Sequence, residues 1–139
     1  MSLFFPVERA TLLIPSGTES DPDRKHLFIL LNNPITDEKL ILLVSLSSIK
    51  QGHYHDPACI IDENETEHEF IKKPSFIDYS KARIEPATNL SNGVSKGVLI
   101  PKGTIERTLF NKILAGVLVS KRTPRKCKTF FETHIKPNL

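Results

Sequence analysis

The chain has 139 residues, of which 39% are hydrophobic and 25% are charged, and its formal net charge at pH 7 is +3. This length and composition are typical of one globular domain, and the longest apolar runs, such as residues 40–44, are too short to cross a bilayer. The N-terminus lacks the pattern of a signal peptide, and two cysteines without a C-x-x-C pair argue against a disulfide framework. We therefore expect a single cytoplasmic domain over residues 1–139, without membrane contact.

Continuous apolar runs bounded by turn residues predict three strands, over residues 10–14, 26–31 and 39–48. Residues 75–84 are predicted to form a further strand, in which apolar and polar side chains alternate imperfectly. The third run changes its pattern near its end, where Ser45, Ser47 and Ser48 alternate with apolar residues. We expect these hydroxyl groups to emerge together there. Residues 89–97, rich in Asn, Ser and Gly, are predicted to form a loop.

The last third of the chain has the spacing of two amphipathic helices. The first is predicted to begin after Thr104, acting as its N-cap. Its apolar positions recur every three or four residues, at Ile105, Leu109, Phe110, Ile113, Leu114, Val117 and Leu118. The second is predicted to follow Thr123 and Pro124 and to bury Cys127, Phe130, Phe131 and Ile135. The sequence thus predicts an α+β fold, with strands over about residues 8–100 and two C-terminal helices over about residues 104–136.

Residues 51–71 hold three of the five histidines and six carboxylates, but no Lys or Arg. Histidine gains or loses a proton near neutral pH, so His53, His55 and His68 are candidates for a general acid or base. Asp56 and Cys59 in the same segment have the chemistry of metal ligands. Their spacing matches no strong zinc pattern, however, and we predict neither a metal nor another cofactor. The alternative is that these histidines lie in an exposed loop without a catalytic role.

Cleavage of RNA without a metal needs a base for the 2′-hydroxyl proton, an acid for the leaving oxygen and cations for the phosphate. The candidate cations are Arg24, Lys72, Lys73 and Arg83, and hydrogen bonds could come from Ser47 or Ser48. Four aromatic residues interleave with the histidines and lysines, a pattern suited to stacking on single-stranded RNA: Tyr54, Phe70, Phe76 and Tyr79. Core packing explains Phe70 and Phe76 equally well. The remaining histidines, His26 and His134, are interpreted as structural.

Cations are concentrated near the C-terminus, where six Lys and Arg residues are opposed only by Glu132. Such a segment can neutralise a phosphate backbone, and our candidate contacts are Arg125, Lys126 and Lys128. A solvated helix face is the alternative interpretation. No phosphate-cradling glycine loop, G-x-S-x-G or H-E-x-x-H pattern occurs in the chain, which argues against ATP-dependent and serine-hydrolase chemistry.

The order of elements resembles a known family. A short strand ends in a proline (TLLIPSG), a polar loop carries Arg24 and Lys25, and two further strands follow (HLFILLN and ILLVSLSS). A long loop, a strand followed by an arginine (FIDYSKARI) and an amphipathic helix complete the pattern. Over about residues 10–120, this order is similar to the PemK/MazF-like toxins of bacterial toxin–antitoxin systems.

This resemblance implies a small SH3-like β-barrel of about five or six strands, which cuts single-stranded RNA without a metal and forms a homodimer. It also implies an antitoxin, or another protein, as a partner. The basic residue that opens the family's second strand falls at Arg24 or Lys25, and the hydroxyl that closes the third strand falls at Ser47 or Ser48. The alternative function is a non-catalytic binding module, for protein or nucleic acid, that is accessory to a toxin–antitoxin or phage-defence system.

Overall fold

One curled antiparallel sheet organises the computed structural model, which describes residues 3–17, 19–21 and 23–139. Within these residues the strands are β1 (Ala10–Pro15), β2 (Lys25–Leu30), β3 (Leu40–Ser48), β4 (Ile60–Ile61), β5 (Ser75–Pro86) and β6 (Ile100–Thr104). The strand order across the sheet is β4-β5-β3-β2-β1-β6. The α+β fold with a small barrel-like sheet, predicted from the sequence, is confirmed.

Helices cover both sides of this sheet. They are α1 (Ala87–Ser95), α2 (Arg107–Val119) and α3 (Arg125–Phe130), and α3 continues through a π-helical turn over Phe131–Ile135 and a 3₁₀ turn over Lys136–Asn138. A further 3₁₀ turn over Glu63–Glu65 lies in the long connection between β4 and β5. In the part of the chain that the structure describes, no helix is long and apolar enough to cross a membrane.

The larger hydrophobic core lies between the sheet and the two C-terminal helices, and we call this side of the sheet the closed face. The apolar stripe of α2 supplies Leu109, Phe110, Ile113 and Val117, which pack with strand residues such as Ile29. The predicted buried side of the last helix is confirmed at Cys127, Phe130, Phe131 and Ile135. Burial of these large side chains gives the main stabilisation of the fold.

A smaller core lies on the opposite side of the sheet, which we call the open face. Here α1 contributes Ala87 and Leu90, which pack with Leu12, Leu30 and Leu43. The helix covers only one end of this face. Beyond this end, the side chains that β2, β3 and β5 direct to the open face change from apolar to polar, and α1 does not cover them.

Residues 87–104 differ from the sequence prediction in two places. Residues 89–97, expected to be a loop, lie mostly in α1, because the burial of Leu90 outweighs the weak helix propensity of Asn, Ser and Gly. Thr104, expected to cap the next helix, lies in β6 and pairs with Ala10. The N-cap residue of α2 is Glu106, and its carboxylate accepts hydrogen bonds from Thr66 Oγ1 and the amide of Glu67 instead of capping the helix.

Candidate functional site

Cross-strand pairing places a line of side chains across the open face. Leu12 pairs with Phe28, Phe28 pairs with Ser45, and Ser45 pairs with Asp78. Residues directly opposite each other in antiparallel strands share one face of the sheet. The line therefore runs from an apolar residue on β1 to a carboxylate on β5, through the buried hydroxyl of Ser45.

The neighbouring positions on the same strands extend this line into a patch. His26 lies two residues before Phe28, and Ser47 lies two residues after Ser45, so both share their face. On the other side of the line, Arg83 pairs with Leu43. We call this patch the polar end of the open face; it consists of His26, Ser45, Ser47, Asp78 and Arg83.

An irregularity in β5 shapes this patch. Only Val44 separates the paired residues Leu43 and Ser45 on β3, whereas four residues, 79–82, separate their partners Arg83 and Asp78 on β5. Bulges of this kind bend a strand and redirect its side chains, and they are common beside active sites. Here the bulge exposes Ser80 and Lys81, while the Asp78 carboxylate accepts hydrogen bonds from the amide and hydroxyl of Ser80.

His26 has the hydrogen-bonding arrangement of a general base. Its Nδ1 lies 2.7 Å from Ser16 Oγ, and that hydroxyl donates to the carbonyl of Ile14 at 3.1 Å. With the single proton of Ser16 donated to the carbonyl of Ile14, His26 Nδ1 donates to Ser16 Oγ, and in this tautomer the lone pair is on Nε2. Among the residues that the structure describes, none hydrogen-bonds to that Nε2.

The environment of His26 also favours its neutral form. Burial lowers the pKa of His26, and the positive charges of Lys81 and Arg24 lower it further, with a smaller contribution from Lys50. The carboxylate of Asp78 opposes these effects but does not reverse them. At pH 7 His26 is therefore mainly neutral and able to accept a proton, with cations close by.

Two buried polar groups in the patch lack hydrogen-bond partners among the described residues. Ser45 is only 1% exposed and its Oγ has no partner. Arg83 Nε also has no hydrogen-bond partner, but it forms an ion pair with Glu85 at 3.7 Å, and its guanidinium lies 5.2 Å from the ring centroid of Phe28. Buried polar groups without a hydrogen bond are rare in folded proteins, and one explanation for them is an ordered water that supplies the partner.

Four of the predicted site residues lie in or beside this patch. Ser47 and Arg83 belong to it, and Arg24 acts electrostatically on His26. His55 borders it, since its ring lies 5.7 Å from that of Phe76, which pairs with Ser47. The histidine beside Arg24 is His26, which was interpreted as structural from the sequence, and not one of the three predicted catalytic histidines.

His68 lies elsewhere, in a closed hydrogen-bond network at the junction of β1 and β6. Its Nε2 lies 2.7 Å from the carbonyl of Lys102 and 3.0 Å from Thr11 Oγ1, and its Nδ1 accepts from the amide of Phe70. Both ring nitrogens are engaged and the side chain is buried. Burial lowers the pKa of His68, against the opposing effect of its bond to the carbonyl of Lys102. This arrangement gives His68 a structural role.

The other predicted residues are dispersed. His53, Lys72 and Lys73 are exposed in loops, and Lys25 begins β2 beside His26 with its side chain on the other face. Tyr79 is fully buried and donates to the carbonyl of Ile113, so it cannot stack on a base. The basic residues of α3, Arg125, Lys126 and Lys128, lie on the helix layer of the closed face. Tyr54 is exposed beside Arg122.

Four residues in or beside the polar end were not predicted as site residues: His26, Ser45, Asp78 and Lys81. His26 was interpreted as structural, together with His134, whereas the cluster of His53, His55 and His68 was preferred as the candidate site. One feature of the sequence could have identified His26. The segment 24–26 places Arg, Lys and His together at the start of a strand, where side chains are partly accessible and cations perturb the pKa of a neighbouring histidine.

Neither cysteine has the properties of a nucleophile. Both are free and buried, and burial raises the pKa of Cys59 to about 11 and also raises the pKa of Cys127. Thiols in this state are inert at neutral pH. In the described residues, no three His, Cys, Asp or Glu side chains are grouped so that they could hold a metal ion.

Compared with known proteins, the chain matches no protein-family model, no curated protein and no solved structure. Inference about its function therefore starts from the chemistry of the polar end of the open face.

Proposed function

We propose that the protein is a metal-independent endoribonuclease that cuts single-stranded RNA at the polar end of the open face. One observation carries this proposal: a neutral histidine with a free Nε2 lone pair lies among cations on a partly accessible face of the sheet. Transfer of a phosphoryl group from a 5′-oxygen to a neighbouring 2′-oxygen needs a base, an acid and positive charge, and the chain supplies all three here.

In this mechanism His26 Nε2 accepts the proton of a 2′-hydroxyl. The 2′-oxygen attacks the adjacent phosphorus, the bond from phosphorus to the 5′-oxygen breaks, and a 2′,3′-cyclic phosphate forms. Ser16 holds the imidazole through Nδ1, which fixes the tautomer and the direction of the lone pair. This is the arrangement by which a third group orients a catalytic base.

Cations and hydroxyl groups of the patch hold the phosphate. Lys81 and Arg83 follow Asp78 along β5, and Arg24 immediately precedes β2. Their charges stabilise the additional negative charge that develops on the phosphorane. Ser47, which is only partly buried on the same face, adds a hydroxyl donor suited to a phosphate oxygen.

His55 is our candidate for the acid that protonates the leaving 5′-oxygen. It borders the patch through Phe76 on β5, while His26 lies on β2, with only β3 between these two strands. Neighbouring strands lie about 4.8 Å apart, so the backbones of β2 and β5 are separated by about 10 Å. A phosphodiester bound over β3 on the open face would lie between His26 and the Phe76 ring that His55 contacts.

The resemblance to PemK/MazF-like toxins supports the same location. It placed a basic residue at Arg24 or Lys25 and a hydroxyl at Ser47 or Ser48, and one member of each pair, Arg24 and Ser47, lies around His26. We therefore extend the proposal to a toxin of a toxin–antitoxin system, with a homodimeric state and an antitoxin as protein partner.

The test is RNA cleavage by purified protein in EDTA. We expect wild-type protein to cut a labelled single-stranded RNA, to leave a 2′,3′-cyclic phosphate and to spare the all-deoxy version of the same sequence. His26→Ala should reduce the cleavage rate by about 10²- to 10⁴-fold, the usual contribution of a general base. His53→Ala is the matched control, because His53 is exposed and lies outside the patch.

Growth of bacteria expressing each variant gives a second readout. We expect wild-type protein and His53→Ala to arrest growth and His26→Ala to permit it. Intact RNA after incubation with folded wild-type protein would reject the endoribonuclease, and equal rates for wild type and His26→Ala would reject this site.

A second candidate function is a non-catalytic binding module. The exposed cations Arg125 and Lys126 on α3 favour it, because they lie on the layer opposite the polar end and could hold a nucleic acid without any acid–base group nearby. RNA that binds with a steep salt dependence but remains uncut would select this function. Neutralising Arg125 and Lys126 should then reduce that dependence.

A further inference from the structure

A cleft of about 460 Å³ lies beside the polar end, between the segment 54–58 and the C-terminal end of α2. Its walls include Tyr54, His55, Val119 and Lys121, and Ala58 contributes to its apolar lining. Two of these side chains are unusually exposed for their size, since Tyr54 is 64% and Val119 is 69% exposed. Exposed apolar groups that converge on one concavity commonly mark a binding site.

Tyr54 has one face engaged by a cation. The guanidinium of Arg122 lies 4.3 Å from the centroid of its ring. A guanidinium at this distance attracts the ring electrostatically and limits its motion. Because the side chain is 64% exposed and lines the cleft, the ring also offers surface for a planar ligand, and Lys121 adds a second positive charge to the cleft.

Buried hydrogen bonds hold the walls of the cleft together. Asp56 accepts from the hydroxyl of Ser120 with one carboxylate oxygen and from the amide of Ala58 with the other. Ser120 Oγ in turn accepts from the amide of Arg122. The loop that carries Tyr54 is thereby tied to the segment that carries Arg122, so the stacked pair is organised before any ligand arrives.

The cleft is continuous with the proposed catalytic patch through His55. This side chain lines the cleft, and its ring also packs against Phe76, the cross-strand partner of Ser47. A single-stranded chain whose phosphate lies between His26 and His55 would place a neighbouring base at the mouth of the cleft.

From these contacts we infer that the cleft is a nucleobase subsite for single-stranded RNA. A base stacks on the exposed ring surface of Tyr54 and against Val119, while Arg122 and Lys121 neutralise the flanking phosphate. The inference rests on the proposed function for its choice of ligand, and it assigns to Tyr54 the binding of the nucleotide beside the cleaved bond. Aromatic stacking tolerates every base, so this subsite provides affinity and a fixed register more than sequence selectivity.

The test measures binding separately from cleavage. The probe is a fluorescein-labelled 2′-O-methyl RNA of eight nucleotides, which has no 2′-hydroxyl nucleophile and remains intact. We expect Tyr54→Ala to weaken its affinity by about 5- to 150-fold, the usual effect of removing one base-stacking aromatic residue. Tyr54→Phe keeps the ring and should stay within about twofold of the wild type.

Phe70→Ala is the matched control. Phe70 is also exposed, at 43%, and also has a cation over its ring, with Lys102 Nζ 4.9 Å from the centroid, but it lies outside the cleft. We expect its removal to leave the affinity unchanged. Thermal unfolding of each variant verifies that the loss at Tyr54 reflects binding rather than folding.

Abasic probes identify the stacked base. Replacing bases one at a time by abasic sites should reveal one position whose loss weakens wild-type binding as much as Tyr54→Ala does. That same abasic probe should lose no further affinity with Tyr54→Ala, since coupled partners give non-additive effects.

Three outcomes would overturn the subsite: no binding of the probe by wild-type protein, equal affinity for wild type and Tyr54→Ala, or equal losses for Tyr54→Ala and Phe70→Ala. Failure of the proposed function gives a different result. Tyr54-dependent binding without RNA cleavage supports the subsite and rejects the enzyme, whereas cleavage that is insensitive to Tyr54→Ala supports the enzyme and rejects the subsite.

Discussion

The buried polar groups on the two faces of the sheet differ in their hydrogen bonding. On the closed face, Tyr79 Oη donates to the carbonyl of Ile113 and Thr123 Oγ1 donates to that of Val117, each at 2.7 Å. On the open face, Ser45 Oγ and Arg83 Nε have no hydrogen-bond partner among the described residues. A buried polar group without a hydrogen bond costs about 1–3 kcal/mol, so the open face gives up stability at these two groups.

The two half-buried histidines show the same contrast. His68 engages both ring nitrogens, and its surroundings leave nothing for a substrate to contact. His26 has one nitrogen fixed by Ser16 and the other without a partner in the described part of the chain. The comparison shows that burial and a lowered pKa do not by themselves identify a catalytic histidine; an available nitrogen is also needed.

The largest effect on stability is expected at Gly116, where the closed face is most tightly packed. A Cβ added at Gly116 would lie 2.1 Å from Tyr79 Oη and 2.8 Å from Cζ of the same ring. Gly116→Ala should therefore lower the free energy of unfolding by about 1–3 kcal/mol, measured by urea denaturation, because overpacking forces side chains from their favoured rotamers.

The same substitution in a Tyr79→Phe background tests that explanation. Removal of the hydroxyl eliminates the closest contact, so part of the loss should be recovered. Equal losses in both backgrounds would show that the ring hydroxyl is not the cause.

Removal of a hydroxyl from each face should affect stability in opposite directions. Tyr79→Phe removes a satisfied hydrogen bond on the closed face and should destabilise the protein by about 1 kcal/mol. RNA cleavage should be unaffected, because Tyr79 is fully buried on the side of the sheet away from the polar end.

Ser45→Ala is the counterpart on the open face. It removes a buried hydroxyl with no partner among the described residues, so stability should stay the same or rise by up to about 1 kcal/mol. Cleavage of RNA should change little, because the buried Oγ of Ser45 is not accessible to a phosphate. A clear loss of stability in Ser45→Ala would show that this hydroxyl has a favourable partner in the folded protein.

Much of the fold could be predicted because long apolar runs and the periodicity of α2 are local properties of the sequence. The runs that form β1, β2 and β3 are continuous, and their burial follows from composition alone. The helix α1 could not be predicted in this way. Its formation depends on contacts of Leu90 with the distant strands of the open face, which outweigh local propensity.

The site was predictable only in part, for a related reason. Arg24, Ser47 and Arg83 could be chosen from strand ends and charge, but their common neighbour His26 depends on strand order. The β5 bulge that exposes Lys81 beside Asp78 leaves only a weak trace in the sequence, as an imperfect alternation. The clustering of His53, His55 and His68 along the chain did not predict a common site. The folded chain places His68 beside Thr11 and Lys102, whereas His55 packs against Phe76.

The smallest expected effect is the dependence of stability on pH, which separates the two histidines. The pKa of His68 is lowered in the folded protein, chiefly by burial, so the unfolded chain takes up a proton first as the pH falls. Stability from this residue is therefore complete above the unfolded pKa of about 6.5 and decreases as the pH falls below it. His68→Gln should reduce the change in the urea-denaturation midpoint between pH 7.5 and pH 5.5.

His26→Gln should also reduce part of this pH dependence of stability, because the pKa of His26 is lowered as well, with burial as the main cause. Of these two histidines, only His26 should control the acidic limb of the pH dependence of RNA cleavage: this limb should remain in His68→Gln and disappear with the activity in His26→Gln. Hydrogen bonds to Lys112 and Thr66 are the main causes that lower the pKa values of Glu65 and Glu106, respectively. The stability that these two carboxylates contribute is lost only in more acidic solution, so the measurements stay above pH 5.5. An acidic limb that shifts in His68→Gln would show that the closed network and the polar end are coupled, and would remove the distinction between the two histidines.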